Sequence, residues 1–532
     1  VYGEESASTV YHNFMRHSGA PTGGVNYDYY SAIRYAYTFL DRIQQVPDIS
    51  ETNLREWQGE AWYLIGYFHW ALLEYYGPIV IMDHEISLNA DETELYKPRN
   101  TFDECVDFIV ECFDKAIEML PPRQQNIRWY GRASAAAAHG FKVRTLLFAA
   151  SPLFNGNSEF FSRLRNSDGT YLVSQTYDPA KWERARIAAE QAISYAEQNG
   201  YRLYENPANA SIADNFERGV RNFHDYFVEP EYNTDEYLCA YVHTEGPKKI
   251  QRLSGIRTEL PYSADDFTTS YQVMFPAVEM YYTKNGLPLA DDPTIDLTTL
   301  YDYDPDTQVA NINQNREPRF YINVFWSGMT WHSGNVKKTD MQFYNGGNSG
   351  YGATQQNYTA TGYLAHKFID YTRDTATNGD KYDIATWGYL DWPIIRYAEI
   401  LLNYVEALNE YDPGNADIET YLNKIRERGG LGPVQSDLNQ SQMREQIRLE
   451  RRIELCFEQL RYFDTRRWLI ADQTDGGPFY GMNVDAGNSF TDEAFYEKTV
   501  FETRVFRPEF YLFPIPQSEI NRDPQIVQNP GW

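Results

Sequence analysis

Aromatic side chains in a polar, glycine-rich stretch are the residues of this chain with the clearest chemical potential. Residues 326–387 include Trp326, Trp331, Tyr351 and Trp387 and several other tyrosines among many Gly, Asn and Asp residues. A sugar ring has apolar C–H faces and a rim of hydroxyls, so aromatic rings stack on it while polar groups bind its rim. We predict that these four residues contact a glycan. The competing interpretation is that the rings only pin the stretch onto neighbouring helices.

Two other patterns of polar residues suggest metal binding or catalysis, but their spacing matches no known motif. Asp302, Asp304 and Asp306 alternate as in a calcium-binding loop. Such a loop needs Gly at its sixth place and Glu at its twelfth, where this chain has Thr307 and Asn313. The nine histidines form no HExxH pair, there is no G-x-S-x-G elbow or P-loop, and 75 carboxylates give glycosidase-like spacings by chance. The sequence therefore predicts no catalytic residue, no metal site and no cofactor.

Composition restricts the classes of partner. The 532 residues carry a formal net charge of −28, which argues against nucleic acid because phosphates require a basic footprint on the protein. Neutral oligosaccharides or polysaccharides are the expected ligands. The four cysteines are too few for a disulfide framework in so long a chain, and we expect them to be buried small apolar residues. No run of 18 or more uncharged apolar residues is present, so the sequence predicts no transmembrane helix.

Hydrophobic periodicity predicts a mainly α protein. Over residues 1–200 amphipathic segments alternate with turns, one of them opened by a capping box at Thr101, as in helical hairpins of the tetratricopeptide type. Over 201–390 the helical period fades, which indicates a long loop-rich insertion with few short strands, one of them over 319–326. Helices resume over 391–532. We expect the late helices to pack back on the early ones, forming a superhelical unit that carries the insertion within one compact unit.

One segment near the C-terminus combines an apolar stripe with many charges. Residues 447–468 read IRLERRIELCFEQLRYFDTRRW. The spacing predicts one helix with apolar side chains on one side and ion-paired Arg and Glu side chains on the other. We interpret it as a buried structural helix with a salt-bridged rim. Phe457 in this segment and Leu64 in an earlier helix are expected in the core.

The same segment resembles the signature of a known family. The run E-R-R-I-E-L-x-F-E-x-x-R-Y-F-D-x-x-R-W is similar to that of the SusD/RagB family, which are surface glycan-binding lipoproteins of Bacteroidetes-type bacteria. Further segments resemble elements of that family in the same order along the chain, namely 60–79, 131–155, 278–287, 396–402, 425–431 and 513–516.

The resemblance implies a binding protein rather than an enzyme. It also implies a lipid anchor at the outer face of the cell outer membrane and a SusC-type TonB-dependent transporter as partner. The printed sequence shows no signal peptide or lipid-attachment cysteine at its start, so we expect the numbering to begin inside the mature protein. In the family, ligand residues also come from the segment before the first helix, where this chain has Tyr27 and Asn26. An all-α glycoside hydrolase and a helical-repeat protein-interaction scaffold remain open alternatives.

Overall fold

The computed structural model of the protein describes most of the chain in eight stretches. These are residues 29–87, 89–124, 126–228, 235–242, 271–333, 337–352, 358–369 and 391–532. Helices dominate these stretches and the strands are short, which confirms the predicted fold class.

Helices of the N-terminal part pack one against the next. They are α1 (Tyr29–Ile43), α2 (Glu51–Tyr76), α3 (Glu92–Leu95), α4 (Phe102–Met119), α5 (Ala135–Ala150), α6 (Ser158–Phe161) and α7 (Ala180–Gln198). α2 packs against α1 and α4, α4 against α5, and α5 against α7. The capping box predicted at Thr101 is confirmed, because its hydroxyl accepts the amide proton of Glu104 while the Glu104 carboxylate accepts that of Thr101. Gly59 of α2 lies so close to α4 that an added Cβ would fall 2.8 Å from the Cβ of Met119.

The middle part is built from short elements. Its helices are α8 (Asn215–Val228), α9 (Phe275–Glu279) and α10 (Pro318–Asn323). Its strands are β1 (Tyr237–Tyr241), β2 (Tyr303–Asp304), β3 (Val309–Ala310), β4 (Val324–Trp326), β5 (Thr330–Ser333), β6 (Lys337–Asp340), β7 (Tyr363–Ala365) and β8 (Trp392–Arg396). They pair antiparallel as β1–β8, β2–β3, β4–β7 and β5–β6. The strand predicted over 319–326 is wrong in its first part, because Pro318 at the start of α10 favours a helix and only β4 is extended.

The late elements contact both earlier parts. They are α11 (Tyr397–Tyr411), α12 (Ala416–Arg428), α13 (Gln440–Glu454), α14 (Arg461–Arg467), α15 (Ala471–Thr474), β9 (Gly477–Met482), β10 (Lys498–Arg504) and α16 (Gln517–Arg522). α11 packs against α5 and α7 as well as α12 and α13, and these helices share one apolar core. A second core joins the middle part to Ile453, Met482 and Phe495. Cys105, Cys112 and Cys456 are buried free thiols and Cys239 is half-buried.

The single helix predicted over 447–468 is wrong. α13 ends at Glu454, a turn follows, and α14 begins at Arg461. Phe457 and Gln459 in the turn have φ values of 64° and 66°, a left-handed conformation that no α-helix contains. Phe457 is only partly buried, and Leu64 of α2 is 41% exposed, so the expectation of two core residues is also wrong.

Most charges of this segment lie in the interior rather than on a rim. Glu454 accepts hydrogen bonds from Arg319, Arg396 and Arg428. Glu458 accepts from Arg396 and Lys367, and Glu236, Glu317 and Glu450 complete the cluster, in which every side chain is at most 3% exposed. Removing a charged group from water costs free energy, and pairing with an opposite charge offsets this cost. This buried ion cluster joins the middle part of the chain to α11, α12 and α13.

Candidate functional site

A glycine-rich turn over 345–352 positions Tyr351, one of the predicted ligand residues. A Cβ on Gly350 would fall 1.8 Å from the carbonyl oxygen of Tyr344, so the turn closes only with glycine there. The Gly346 amide donates to the Tyr351 carbonyl oxygen at 2.6 Å. Asn345 Nδ2 anchors the turn by donating to the Asp485 carbonyl oxygen at 3.1 Å. These contacts hold the backbone of Tyr351 in one conformation.

Tyr351 forms an aromatic pair with Tyr358. The ring centroids lie 5.0 Å apart with an interplanar angle of 63°, an edge-to-face contact, and both residues are half-buried. Neither hydroxyl makes a hydrogen bond within the described part of the chain. Gln272 lies beside the pair, since its Nε2 is 3.4 Å from the Tyr358 carbonyl oxygen and its Oε1 accepts the Ala360 amide proton at 2.9 Å. Accessible phenol surface, two hydroxyls and a side-chain amide are thus within one small area, as sugar binding requires.

The strand that carries Trp331 is attached to the same turn. Trp331 pairs with Thr339 in the β5–β6 hairpin, and Thr330 Oγ1 donates to Asp340 at 2.9 Å. Asn348 of the turn donates from Nδ2 to the Asp340 carbonyl oxygen at 2.8 Å. The structure therefore brings the backbones of Trp331 and Tyr351 into one unit. The side chain of Trp331 lies outside the described part of the structure, and so do residues Trp387, Tyr27 and Asn26, whose roles remain predictions.

Trp326 does not meet the requirement of an exposed ring. It is 7% exposed, its ring stacks on Phe320 at 5.4 Å, and it makes an edge contact with Tyr321 at 5.7 Å. Trp326 of β4 pairs with Tyr363 of β7, and its indole lies in the second core. The prediction that Trp326 is a stacking platform is wrong for this reason. Tyr344 is buried as well, and burial raises the pKa of its phenol, so the group is neutral and structural.

The sequence left two polar residues of this site unrecognised. Gln272 and Asn348 were not predicted, because amides are common in loops and only the folded chain brings Gln272 next to Tyr358. Among the described residues, no cluster of three or more His, Cys, Asp or Glu side chains is arranged to hold a metal ion. In the same stretches, no helix has the length and apolar character needed to cross a membrane.

Comparison with known proteins identifies the family of this chain. The model of the SusD family matches residues 258–532, which is more than half of the chain. The chain belongs to the SusD family. A second family model, described as starch-binding associating with outer membrane, matches residues 6–147. Together the two matches include the first helices up to residue 147 in α5, the glycine-rich turn and all of the buried ion cluster except Glu236.

Individual relatives support the same fold. SusD-like protein P2 of Formosa agariphila is 32% identical over 148 residues, which are 26% of this chain and 25% of that protein, so the chain matches about a quarter of its length. The solved structure of BT4246 is 26% identical with a TM-score of 0.83, covering 95% of this chain and 89% of that one. A SusD-like protein, BF3747, of Bacteroides fragilis NCTC 9343 is 24% identical with a TM-score of 0.71 over 95% and 85% of the chains. A laminarin binding SusD-like protein is 17% identical with a TM-score of 0.56 over 95% and 85%.

Proposed function

We propose that this SusD-family protein is a cell-surface glycan-binding protein that captures oligosaccharides or polysaccharides without cleaving them. Family membership supports this proposal, and so does the laminarin binding of a protein with a similar fold. The observation that carries it at the residue level is the Tyr351–Tyr358 pair, which a rigid glycine-rich turn holds beside the hairpin of Trp331. Trp387, Tyr27 and Asn26 are proposed as further ligand contacts.

Binding at such a site uses no covalent chemistry. The C–H face of a pyranose ring contacts an aromatic ring, and the hydroxyls exchange hydrogen bonds with the phenol and amide groups. Because a shallow site leaves part of the sugar in water, we expect a Kd between about 1 µM and 1 mM, or about −8 to −4 kcal/mol. A long polysaccharide with repeated units stays bound longer because another unit can rebind after one dissociates, without any single tight contact.

We further propose that the bound glycan is delivered to a SusC-type TonB-dependent transporter at the outer membrane, to which a lipid tethers this protein. The description of the second family model, associating with outer membrane, supports this location. In this arrangement residues 201–390 present the ligand site, while residues 1–200 and 391–532 form the helical frame. Because binding requires no bond cleavage, the glycan reaches the transporter intact.

Native gel electrophoresis in the presence of polysaccharides tests the binding proposal. The protein should be retarded by at least one neutral polysaccharide of a panel, while a parallel incubation releases no new reducing ends. New reducing ends would identify a glycoside hydrolase instead. Absence of retardation by every polysaccharide, with the protein folded, would contradict glycan binding. Purification of the full-length lipoprotein from detergent-solubilised membranes tests the transporter, which should be recovered with it as a large β-barrel protein.

A further inference from the structure

An exposed tryptophan lies far along the chain from the Tyr351 turn. Trp129 ends a short 3-10 turn, Ile127–Trp129, in the loop between α4 and α5, and it is 43% exposed. This is the largest exposed fraction among the tryptophans whose side chains the structure describes. A partly exposed indole can serve as a stacking surface for the apolar face of a sugar ring.

The loop that carries Trp129 is held in place by contacts at both ends. At its start, Arg123 Nη1 lies 2.9 Å from Asp235 Oδ1, and the Arg123 guanidinium lies over the Tyr201 ring at 4.1 Å. Gln124 Nε2 donates to the Ala133 carbonyl oxygen at 2.7 Å and closes the loop. The loop therefore has the contacts of an ordered element, yet its largest apolar side chain remains in solvent.

The far side of the loop is fixed against β1. Gly131 has φ of 85°, and a Cβ there would fall 2.3 Å from Val242 Cγ2, so only glycine permits this contact. This contact fixes the Gly131 end of the loop against the chain at the end of β1.

One ion pair lies beside the indole of Trp129. The guanidinium of Arg132 lies over the ring, 5.5 Å from its centroid, and Arg132 Nη2 is itself ion-paired with Glu60 of α2. The Arg132 amide also donates to the Trp129 carbonyl oxygen at 3.0 Å. An exposed aromatic ring with an ion-paired guanidinium over it offers ring surface for stacking and charged groups for hydrogen bonds to sugar hydroxyls.

We propose that Trp129, Arg132 and Glu60 form a second glycan-binding platform on this chain. This inference rests on the proposed function and extends it with a contact on the helical frame. A neutral polysaccharide is the favoured occupant over a protein. The exposed ring of Trp129 lies beside the Arg132–Glu60 ion pair, whereas a stable protein interface buries about 800 Å² per partner around an apolar centre.

A second platform has a consequence for long ligands. When one polysaccharide chain occupies both the Tyr351 site and the Trp129 platform, the second contact becomes intramolecular and adds avidity. Loss of either contact should therefore weaken the binding of a long polysaccharide. A short oligosaccharide that cannot reach both places should bind the Tyr351 site with unchanged affinity in a Trp129 variant.

The test compares Trp129→Ala with Tyr177→Ala, which removes an exposed tyrosine of the loop before α7. Affinity electrophoresis with the polysaccharide that retards the wild type should show about a tenfold loss for Trp129→Ala, a scale taken from stacking on aromatic side chains, and no change for Tyr177→Ala. Arg132→Gln provides a second readout that keeps the ring, and it should lower the affinity severalfold even if Trp129→Ala fails to fold.

The outcomes separate this inference from the proposed function. If the wild type binds polysaccharide and both Trp129→Ala and Arg132→Gln bind it equally well, the second platform does not exist and the proposed function stands. If these variants keep full glycan binding but no longer co-purify with a transporter, the surface binds protein and the inference is overturned. If the wild type binds no polysaccharide, the proposed function itself fails.

Discussion

Replacement of Glu454 by Gln tests the buried ion cluster that joins the parts of this protein. Glu454 is fully buried and accepts hydrogen bonds from three guanidinium groups, those of Arg319 at 3.0 Å, Arg396 at 2.6 Å and Arg428. Glutamine has nearly the same shape but carries no charge, and its NH₂ group cannot accept a hydrogen bond. The variant therefore leaves one buried positive charge without compensation.

The partners that remain determine the size of the effect. Arg319 keeps Glu317 and Glu450, and Arg396 keeps two other carboxylates, whereas Arg428 keeps only Glu236. Loss of one partner of a buried ion pair costs about 3–5 kcal/mol. Two of the three cations keep most of their carboxylate partners, so we expect Glu454→Gln to lower the free energy of unfolding by about 3–4 kcal/mol. This is a large part of a typical unfolding free energy of about 5–15 kcal/mol.

Urea denaturation followed by circular dichroism measures this loss without screening the charges. Glu445→Gln is the matched control on the same helix, because Glu445 is exposed and its ion pair, with Arg448 at 2.9 Å, lies at the surface, so its loss should cost at most about 0.5 kcal/mol. If Glu454→Gln lies within about 1 kcal/mol of the control, the cluster does not carry the stability assigned to it here.

The stability difference should also depend on pH. Burial alone would raise the pKa of Glu454, but the attraction of Arg428, Arg396 and Arg319 outweighs it and holds the pKa far below the ordinary value of 4.5. A carboxyl group with a lowered folded-state pKa contributes stability above its unfolded pKa and loses it as the pH falls towards the folded value. The difference between the wild type and Glu454→Gln should therefore be full at pH 7 and smaller at pH 3.

Three further predictions concern the site and the helical frame. Tyr351→Ala and Trp331→Ala should each weaken glycan binding by about 1–3 kcal/mol in calorimetric titration, with little change in melting temperature. The control Tyr177→Ala should bind as the wild type does. If Tyr351→Ala and Trp331→Ala unfold the protein, the two rings are core residues. Burial raises the pKa of Glu74 to about 8, so its stability contribution is full below pH 4.5 and falls as the pH rises to 8. Glu74→Gln should therefore become more stable than the wild type over that range, by about 2 kcal/mol at pH 8 after discounting for partial exposure, and a constant difference would contradict the raised pKa. Thr101→Ala should cost about 1 kcal/mol in thermal unfolding through loss of the capping box, and no loss would mean that water replaces the cap.

Helices with local signals could be predicted from the sequence, and those ended by distant contacts could not. The capping box at Thr101 needs only neighbouring residues, so its prediction is confirmed. No helical period shows the break after Glu454, whose ion-pair partners Arg319 and Arg396 lie far away in the chain. The same period cannot distinguish an exposed ion-paired rim from a buried ion cluster. Leu64 is exposed for a similar reason, since neighbouring elements determine which part of an apolar stripe is covered.

At the candidate site the sequence predicted the type of residue better than its exposure. Tyr351 lies in a half-buried aromatic pair, but Trp326 is buried because β4 pairs with β7 nearly forty residues later. Gln272 approaches Tyr358 only through that folding. Trp129 could have been found by the argument applied to the middle part, because it is an aromatic residue in a loop between two helices and its neighbours are polar.

A glycan array probed with the wild-type protein tests the central claim most directly. The array covers many sugars at once, and its dense display of each glycan makes weak contacts detectable. The account predicts concentration-dependent binding to at least one class of neutral glycan, with half-saturation between about 1 µM and 1 mM. Binding to no glycan at 1 mM by protein whose circular dichroism shows the folded, mainly helical state would contradict it.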